Sequence, residues 1–502
     1  MFRPLLIATT ALVALPAFAQ APATPAQDPW YQDAQAALQD RLARTPNTNR
    51  AKNIILFVAD GNGVGTNFAT RVWVGQQQGG MGEEHVLPHE RFAHLGLSKT
   101  YNTNSQTPDS AGTATAFMAG VKARAGVIGV DESVIRGDCS GVAAGAVPSI
   151  AEILSDQGKA VGIVSTARLT HATPATAYAH AADRNFEDDG DLPAGCAVPD
   201  IAAQLLEAMK AGTVDIAMGG GRRHFLPGDV KGEEGKSGKR EDGRNLVAEA
   251  QAAGIAYVWN DETFAAADLS GGVSGAGVLG LFESSHMKYE HDRTGEPSLA
   301  EMTAASIAAL ASRGGENGYF LQVESGRVDH GNHAGNLHRA VTDGAAFAAA
   351  IAKAVEMTSD QDTLIIVTAD HDHAITFPGY CGRGTPITGL CMKPSKTGVM
   401  HTGEPNLADD GKPYTAVLYG NGPGSVLKEQ ADGTYSGARP DLTQEEATDP
   451  DYLQQALLPM RSETHSPVDV AIYANGPWAH LVDGTVEQNY IFHVMMHAAT
   501  AE

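Results

Sequence analysis

Acidic and histidine side chains recur directly after short apolar runs of this chain. Brought close together, such side chains hold divalent cations: mixed His and Asp sets suit zinc, and all-oxygen sets suit magnesium. One carboxylate after a strand is usually a turn or helix cap, so the metal prediction depends on the whole set. The set comprises Asp60, Glu324, Asp329, His330, His333, Asp370, His371, Asp372, His373 and His465.

A serine stands at the start of a predicted helix within residues 107–116. Pro108 disfavours helix at the residue before it, so Asp109 or Ser110 can cap the small-residue helix that follows. An isolated serine there is usually a cap. The alternative is a nucleophile, with an anion bound by the free N–H groups of the helix start. A metal pair favours this alternative, because cations lower the pKa of a bound serine oxygen and stabilise in-line phosphoryl transfer.

A β-sheet would bring together the acidic and histidine residues that follow the apolar runs. Asn53–Ala59 is continuously apolar, as in strands buried on both faces of a parallel sheet. Similar runs occur at 160–165, 214–218, 319–323, 363–368 and 415–419, with Ala-rich helical stretches at 300–311 and 339–357. This alternation predicts an α/β fold with a doubly wound, mostly parallel central sheet flanked by helices. Ligands of such sheets bind at the carboxyl ends of the strands.

One long segment interrupts this alternation of strands and helices. Residues 376–460 are rich in Gly, Pro and acidic residues. We predict that they form an inserted crown-like subdomain or interface element within a single catalytic domain of residues 20–502.

The first 19 residues have the features of an export signal. Arg3 precedes an apolar run at 5–15, and a small-x-small pattern ends at Ala19, which predicts cleavage there and a periplasmic or secreted protein. No later run is long and apolar enough to span a bilayer. The formal net charge of −24 argues against nucleic acid or anionic lipid as a partner.

Four cysteines suit an oxidising compartment, and their even number predicts two disulfides with three possible pairings. A bond between Cys381 and Cys391 would close a short Gly/Pro-rich loop and is the favoured pairing. It would leave Cys139 to pair with Cys196.

Several sequence blocks resemble, in order, those of the alkaline phosphatases, from about residue 53 to 498. The blocks are 58–61, 107–116, 171–175, 322–324, 328–331, 367–371 and 463–465. The resemblance implies hydrolysis of phosphate monoesters at alkaline pH through a phosphoserine, with two zinc ions and one magnesium ion. It also implies a homodimer and a role in phosphate scavenging.

The resemblance assigns a role to individual residues. Ser110 would be the nucleophile, and Arg184, oriented by Asp109, would bind the phosphate. The first zinc would be held by Asp329, His333 and His465, the second zinc by Asp60, Asp370 and His371, and magnesium by Asp60, Thr173 and Glu324.

Some features resemble the animal-type branch of the family. His171 and His330 stand where the best-known enterobacterial enzyme has Asp and Lys; His330 would face the phosphate, and His373 would lie just behind a zinc ligand. The animal-type enzymes also carry a calcium site, part of which resembles Phe282, Glu283 and Glu296, with a further ligand near Glu233. The alternative for these acids is the ordinary surface of an acidic protein.

Three other functions compete with monoester hydrolysis. A related metalloenzyme could act on diesters or sulfate esters, but Arg184 and a three-metal set suit a dianionic monoester. A non-catalytic metal- or phosphate-binding protein would be favoured if Ser110, Arg184 or a ligand were replaced, and none is. A purely structural role leaves the clustered ligands unexplained.

Overall fold

The structure is a computed structural model that describes residues 26, 28–269 and 277–501. The predicted signal peptide lies outside the described residues. The chain divides into two compact units, residues 1–46 and 47–502. The first contains the predicted opening helix, α1 (Pro29–Ala43), where Asp28 accepts a hydrogen bond from the Tyr31 N–H at 3.1 Å. In the described part of the chain, every helix is too short or too polar to cross a bilayer.

The second unit contains the remaining helices and all the strands of the described residues. The strands are β1 (Asn53–Ala59), β2 (His94–Lys99), β3 (Ala160–Arg168), β4 (Ile216–Gly220), β5 (Ala256–Val258), β6 (Val278–Leu281), β7 (Tyr319–Ser325), β8 (Thr363–Thr368), β9 (Asp372–His373), β10 (Ile375–Thr376), β11 (Leu418–Gly422), β12 (Lys428–Glu429), β13 (Tyr435–Ser436), β14 (Ala456–Pro459), β15 (His465–Ser466), β16 (Val470–Asn475) and β17 (Thr485–Glu487). The helices are α2 (Val64–Gln77), α3 (Ser110–Ala119), α4 (Val142–Gly145), α5 (Ile150–Asp156), α6 (Ala172–Ala175), α7 (Ile201–Ala211), α8 (Leu246–Ala252), α9 (Asp261–Ala266), α10 (Leu299–Gly314), α11 (Arg327–His333), α12 (Leu337–Met357), α13 (Gln444–Thr448) and α14 (Tyr490–Thr500).

Ten strands of the described chain form one sheet in the order β17-β2-β16-β8-β1-β7-β3-β4-β6-β5. The predicted mostly parallel sheet is confirmed, with β16 as the antiparallel exception between β2 and β8. The run at 415–419 does not join this sheet. The strand found there, β11, belongs to a separate sheet in the order β10-β11-β14, within the segment predicted to be inserted.

Side chains of each strand alternate between the two faces of the large sheet. Each face packs in its own hydrophobic core. Ile54, Leu56 and Val58 pack in the core that contains α3, α5, α7 and α14. Ile55 and Phe57 pack in the core that contains α10 and α12. Burying one such side chain stabilises the fold by about 1.5–3 kcal/mol, so the central strands form a rigid base for the loops that follow them.

Both predicted disulfides are present. Cys139 bonds to Cys196 across 57 residues, and Cys381 bonds to Cys391. Two disulfides are typical of proteins exported to an oxidising compartment.

Candidate active site

The predicted site residues meet at the carboxyl ends of the four adjacent strands β8, β1, β7 and β3. Asp60 follows β1, Asp370 follows β8, and Glu324 lies near the end of β7. The loops and short helices after these strands supply the rest, which are His171, Thr173, Asp329, His330, His333 and His371. His465 joins them from β15, which pairs antiparallel with β9.

Ser110 is the first residue of α3, and Asp109 is its N-cap, accepting a hydrogen bond from the Gly112 N–H at 3.2 Å. The Ser110 side chain is buried, with Oγ 3.1 Å from Nε2 of His371 and 3.3 Å from Oδ1 of Asp60. The capping role therefore belongs to Asp109. The serine hydroxyl is left to face two of the predicted zinc ligands.

The residues predicted to hold the first zinc form one cluster. Nε2 of His465 lies 3.1 Å from Nε2 of His333, and these two atoms lie 3.4 and 3.3 Å from Oδ1 of Asp329. His373 belongs to the same group of mutually close ligand atoms. Two imidazole nitrogens and a carboxylate that converge in this way match the ligand set of a zinc site.

The residues predicted to hold the second zinc are also adjacent. Nε2 of His371 lies 3.3 Å from Oδ1 of Asp60 and 3.4 Å from Oδ2 of Asp370. Asp370 accepts hydrogen bonds through Oδ1 from the N–H groups of Gly61 and His371, whereas its buried Oδ2 has no hydrogen-bond partner. A buried carboxylate oxygen without a partner is costly unless a cation binds it.

Two of the predicted magnesium ligands also have buried oxygen atoms without a hydrogen-bond partner. The hydroxyl of Thr173 and Oε1 of Glu324 are buried without a hydrogen-bond partner, while Oε2 of Glu324 accepts from Ser165. Ligand atoms of Asp60, His171 and Glu324 lie within 4.8 Å of one another. The donor atoms present therefore fit bound divalent cations at all three predicted positions.

Burial and mutual repulsion make Asp60, Glu324 and Asp370 hard to ionise without cations. Burial and the charges of Asp370 and Asp329 raise the pKa of Asp60 well above its usual value. Burial raises the pKa of Glu324 to about 8, and it also raises the pKa of Asp370. Burial lowers the pKa of His371 well below its usual value, which keeps the ring neutral, as metal ligation requires.

The metal-free protein should lose stability as the pH rises from 7 to 9. Glu324 has a pKa of about 8 in the folded state and an ordinary value when unfolded, so the folded state binds the extra proton. That contribution is present at low pH and is lost as the pH rises through 8. The buried neutral histidines matter little in this interval, because an unfolded histidine is largely neutral above pH 7.

The measurement is the melting temperature of chelator-treated protein at pH 7 and pH 9. Glu324→Gln is the matched control and should show a smaller decrease. A melting temperature that rises with pH in both proteins would contradict the assignment.

Arg184 pairs with Asp109, the residue before Ser110, and its guanidinium is held on two sides. One terminal nitrogen donates to Oδ2 of Asp109 at 3.0 Å, and the other lies 2.8 Å from Nε2 of His171. Asp109 also accepts from the Gly126 N–H at 2.7 Å. Burial raises the pKa of Asp109, but Arg184 and these N–H donors outweigh it and hold the pKa below its usual value. Asp109 thus caps α3 and also orients the Arg184 guanidinium.

Comparison with known proteins agrees with this geometry. The sequence model of the family "Alkaline phosphatase" matches residues 51–501. The chain is 42% identical to the tissue-nonspecific alkaline phosphatase of Gallus gallus over 488 residues, which cover 94% of this chain and 89% of the relative. It is also 42% identical to the alkaline phosphatase of Gadus morhua, over 95% of this chain and 98% of that protein.

This chain belongs to the alkaline phosphatase family. It is therefore a phosphomonoester hydrolase of a metal-dependent family. The fold of this phosphatase is similar to solved structures of bacterial enzymes. The alkaline phosphatase of Thermus thermophilus has a TM-score of 0.63 at 25% identity, covering 93% of this chain and 94% of that chain. That of the Antarctic bacterium TAB5 has a TM-score of 0.61 at 22% identity, covering 90% and 100%.

His286 is a residue of the phosphatase that was not among the predicted site residues. Its ring centroid lies 4.0 Å from that of His330, and its Nε2 contacts the Arg168 guanidinium. Nδ1 of His330 lies 3.2 Å from Arg327, and burial lowers the pKa of His330 to about 3. His286 follows β6 by five residues, so the rule of examining residues after strands would have found it if the β6 run had been recognised.

Two of the predicted calcium ligands of the phosphatase, Glu283 and Glu233, lie close to cationic side chains of the protein. Glu283 lies 3.4 Å from the Lys288 ammonium group, and Glu233 lies 3.0 Å from Arg222. Glu296 accepts from the Lys288 N–H at 2.7 Å, and burial raises its pKa to about 7. Phe282 is buried in the core against the sheet. Calcium binding here stays a prediction.

Proposed function

We propose that this phosphatase hydrolyses phosphate monoesters through a phosphoserine on Ser110, with two zinc ions and one magnesium ion bound by the residues named above. The observation that carries the proposal is the position of the Ser110 hydroxyl. It lies 3.1 Å from His371 and 3.3 Å from Asp60. Zinc in these sites supplies Lewis-acid stabilisation and lowers the pKa of a coordinated oxygen.

The residues of the chain bind the phosphate and direct the attack. Deprotonated Oγ of Ser110 forms a bond to phosphorus as the bond to the leaving alcohol oxygen breaks. The N–H groups at the start of α3 and the Arg184 guanidinium hold the non-bridging oxygens. The alcohol leaves with the proton that Oγ lost. Attack by water on the phosphoserine then breaks the Oγ–phosphorus bond, returns a proton to Oγ and releases inorganic phosphate.

Hydrolysis of a chromogenic phosphate monoester, beside the corresponding diester and with and without chelator, tests this proposal. Monoester turnover should be far higher than diester turnover, and chelation should abolish it. Diester turnover equal to or above monoester turnover would support a related diesterase instead. Indifference to chelation would contradict the metal assignment.

Substituting His171 by aspartate should strengthen magnesium retention. His171 lies beside Asp60 and Glu324, so an aspartate would add a carboxylate at the predicted magnesium position. The structure of a His-to-Asp mutant of the TAB5 enzyme, described as having Mg bound, supports this expectation. We expect the magnesium concentration for half-maximal activity to fall by roughly 10-fold.

Magnesium titrations of the metal-depleted enzymes measure this change. His180→Asp is a suitable control, because His180 contacts Glu152 and the Gly129 carbonyl away from the cluster. Equal magnesium dependence of the wild-type and His171→Asp enzymes would contradict the role of His171.

We further propose that the phosphatase is a periplasmic homodimer that scavenges phosphate, after removal of residues 1–19. The inserted segment 376–460 is the proposed interface element. Light scattering of the mature protein tests the dimer, and a monomeric mass would exclude it. N-terminal sequencing of the exported protein tests cleavage after Ala19.

A further inference from the structure

Glu463 is a fully buried acid beside the residues predicted to hold the first zinc ion. Its exposed fraction is 1%. Oε2 accepts a hydrogen bond from Nδ1 of His373 at 2.5 Å, and Oε1 accepts from the Ala374 N–H at 2.7 Å. Both carboxylate oxygens are therefore used within the protein, and neither is free for a cation.

His373 connects Glu463 to a proposed zinc ligand. Nε2 of its ring lies 2.8 Å from Oδ1 of Asp329, on the side opposite Glu463. This ring is fully buried between the two carboxylates. Glu463 therefore fixes the ring that in turn fixes the Asp329 carboxylate.

The backbone of Glu463 orients a second ligand. Its carbonyl oxygen lies 2.5 Å from Nδ1 of His333, and its N–H donates to the His333 carbonyl at 2.8 Å. Because Nδ1 of His333 donates to this carbonyl, Nε2 keeps its lone pair for a cation. His465, the third ligand, follows two residues later in the sequence.

The separate sheet of β10, β11 and β14 helps to hold Glu463 in place. The Gly420 N–H donates to the Ala374 carbonyl, and the Ala374 N–H donates to Glu463 and to the Thr464 carbonyl. A Cβ atom added to Gly422 would lie 3.0 Å from Cβ of Glu463, so β11 packs directly against this residue.

We propose that Glu463 is a positioning residue, whose carboxylate acts through His373 to hold Asp329 in the geometry that binds the first zinc ion. This inference rests on the proposed zinc sites. It predicts a defect in zinc affinity, whereas the chemical step on Ser110 stays intact once zinc is bound.

The test uses Glu463→Gln in the full mature chain. The carboxamide keeps the size of the side chain and the contact with Ala374, but it presents an N–H₂ donor to Nδ1 of His373. Zinc affinity, measured by competition with a chromogenic chelator, should fall by about 10–100-fold. The visible spectrum of the cobalt-substituted enzyme should shift, while excess zinc should restore kcat to within a few-fold of wild type.

Glu404→Gln is the matched control. Glu404 is an exposed acid of the inserted segment that pairs with Lys393 at 3.2 Å, and the variant should bind zinc like wild type. If Glu463 acts through His373, the double variant Glu463→Gln/His373→Asn should lose no more affinity than His373→Asn alone.

Unchanged zinc affinity and cobalt spectrum in Glu463→Gln would overturn the inference, as would additive losses in the double variant. Failure of the proposed function is recognised separately. It would appear as a wild-type protein that binds zinc but does not hydrolyse phosphate monoesters, and the affinity comparison would still stand.

Discussion

Ser110→Ala should lower phosphate monoester turnover by on the order of 10³-fold or more, because it removes the atom that forms the covalent intermediate. The serine is not the cap of α3, since the N-cap is Asp109. Zinc and magnesium contents should therefore stay at wild-type values. Rapid acid quenching with a radiolabelled substrate should trap labelled enzyme in the wild type and none in the variant.

Ser298→Ala is a matched control for this substitution. Ser298 also stands at a helix start, where it caps α10 and bonds to Glu301. Its loss should cost about 1 kcal/mol of stability with turnover unchanged. A labelled phosphoenzyme in Ser110→Ala would refute the assignment of the nucleophile.

Asp370→Asn should remove zinc from the second site while the surrounding structure stays in place. The amide oxygen can still accept the hydrogen bonds of Gly61 and His371, but an N–H₂ group replaces Oδ2, the buried oxygen without a partner. We expect about one zinc fewer per chain and activity at least 10²-fold lower. The metal-free variant should melt at a higher temperature than metal-free wild type at pH 8, because a repelling carboxylate is gone.

Asp215→Asn controls for the loss of a partly buried acid. Asp215 bonds to the Val161 N–H at the amino end of the sheet, opposite the site, and burial raises its pKa too. This variant should keep its zinc and activity. Full zinc content in Asp370→Asn would show that Asp370 is not a ligand.

The central part of the sheet could be predicted because its strands are buried on both faces. Asn53–Ala59 and Thr363–Thr368 are apolar except at Asn53, Thr363 and Thr368, and the structure gives them the predicted bounds. β2 and β16, which lie near one edge of the sheet, alternate between buried and more exposed residues. Continuous apolar runs do not mark such strands, so the sequence pattern does not predict the antiparallel insertion of β16.

Site residues that follow a buried strand could likewise be predicted, whereas those in irregular loops could not. Asp60 and Asp370 could be predicted by position alone, because they come one and two residues after the end of a buried strand. Arg184 could not, since it is 75 residues from its partner Asp109 and lies in an irregular loop. Only the resemblance to alkaline phosphatases pointed to it. The role of Glu463 depends on contacts with His373, 90 residues away, that no local pattern encodes.

The place of β16 in the sheet order affects how this enzyme matures. β16 separates β2 from β8, so the sheet stays divided until residues 470–475 have been synthesised and docked. His465 reaches the first zinc cluster from the same late part of the chain. An unfinished chain thus lacks both a continuous sheet and the full set of residues proposed to hold the first zinc ion. Zinc bound by the complete set of these residues would accordingly report that the chain has been synthesised at least as far as His465.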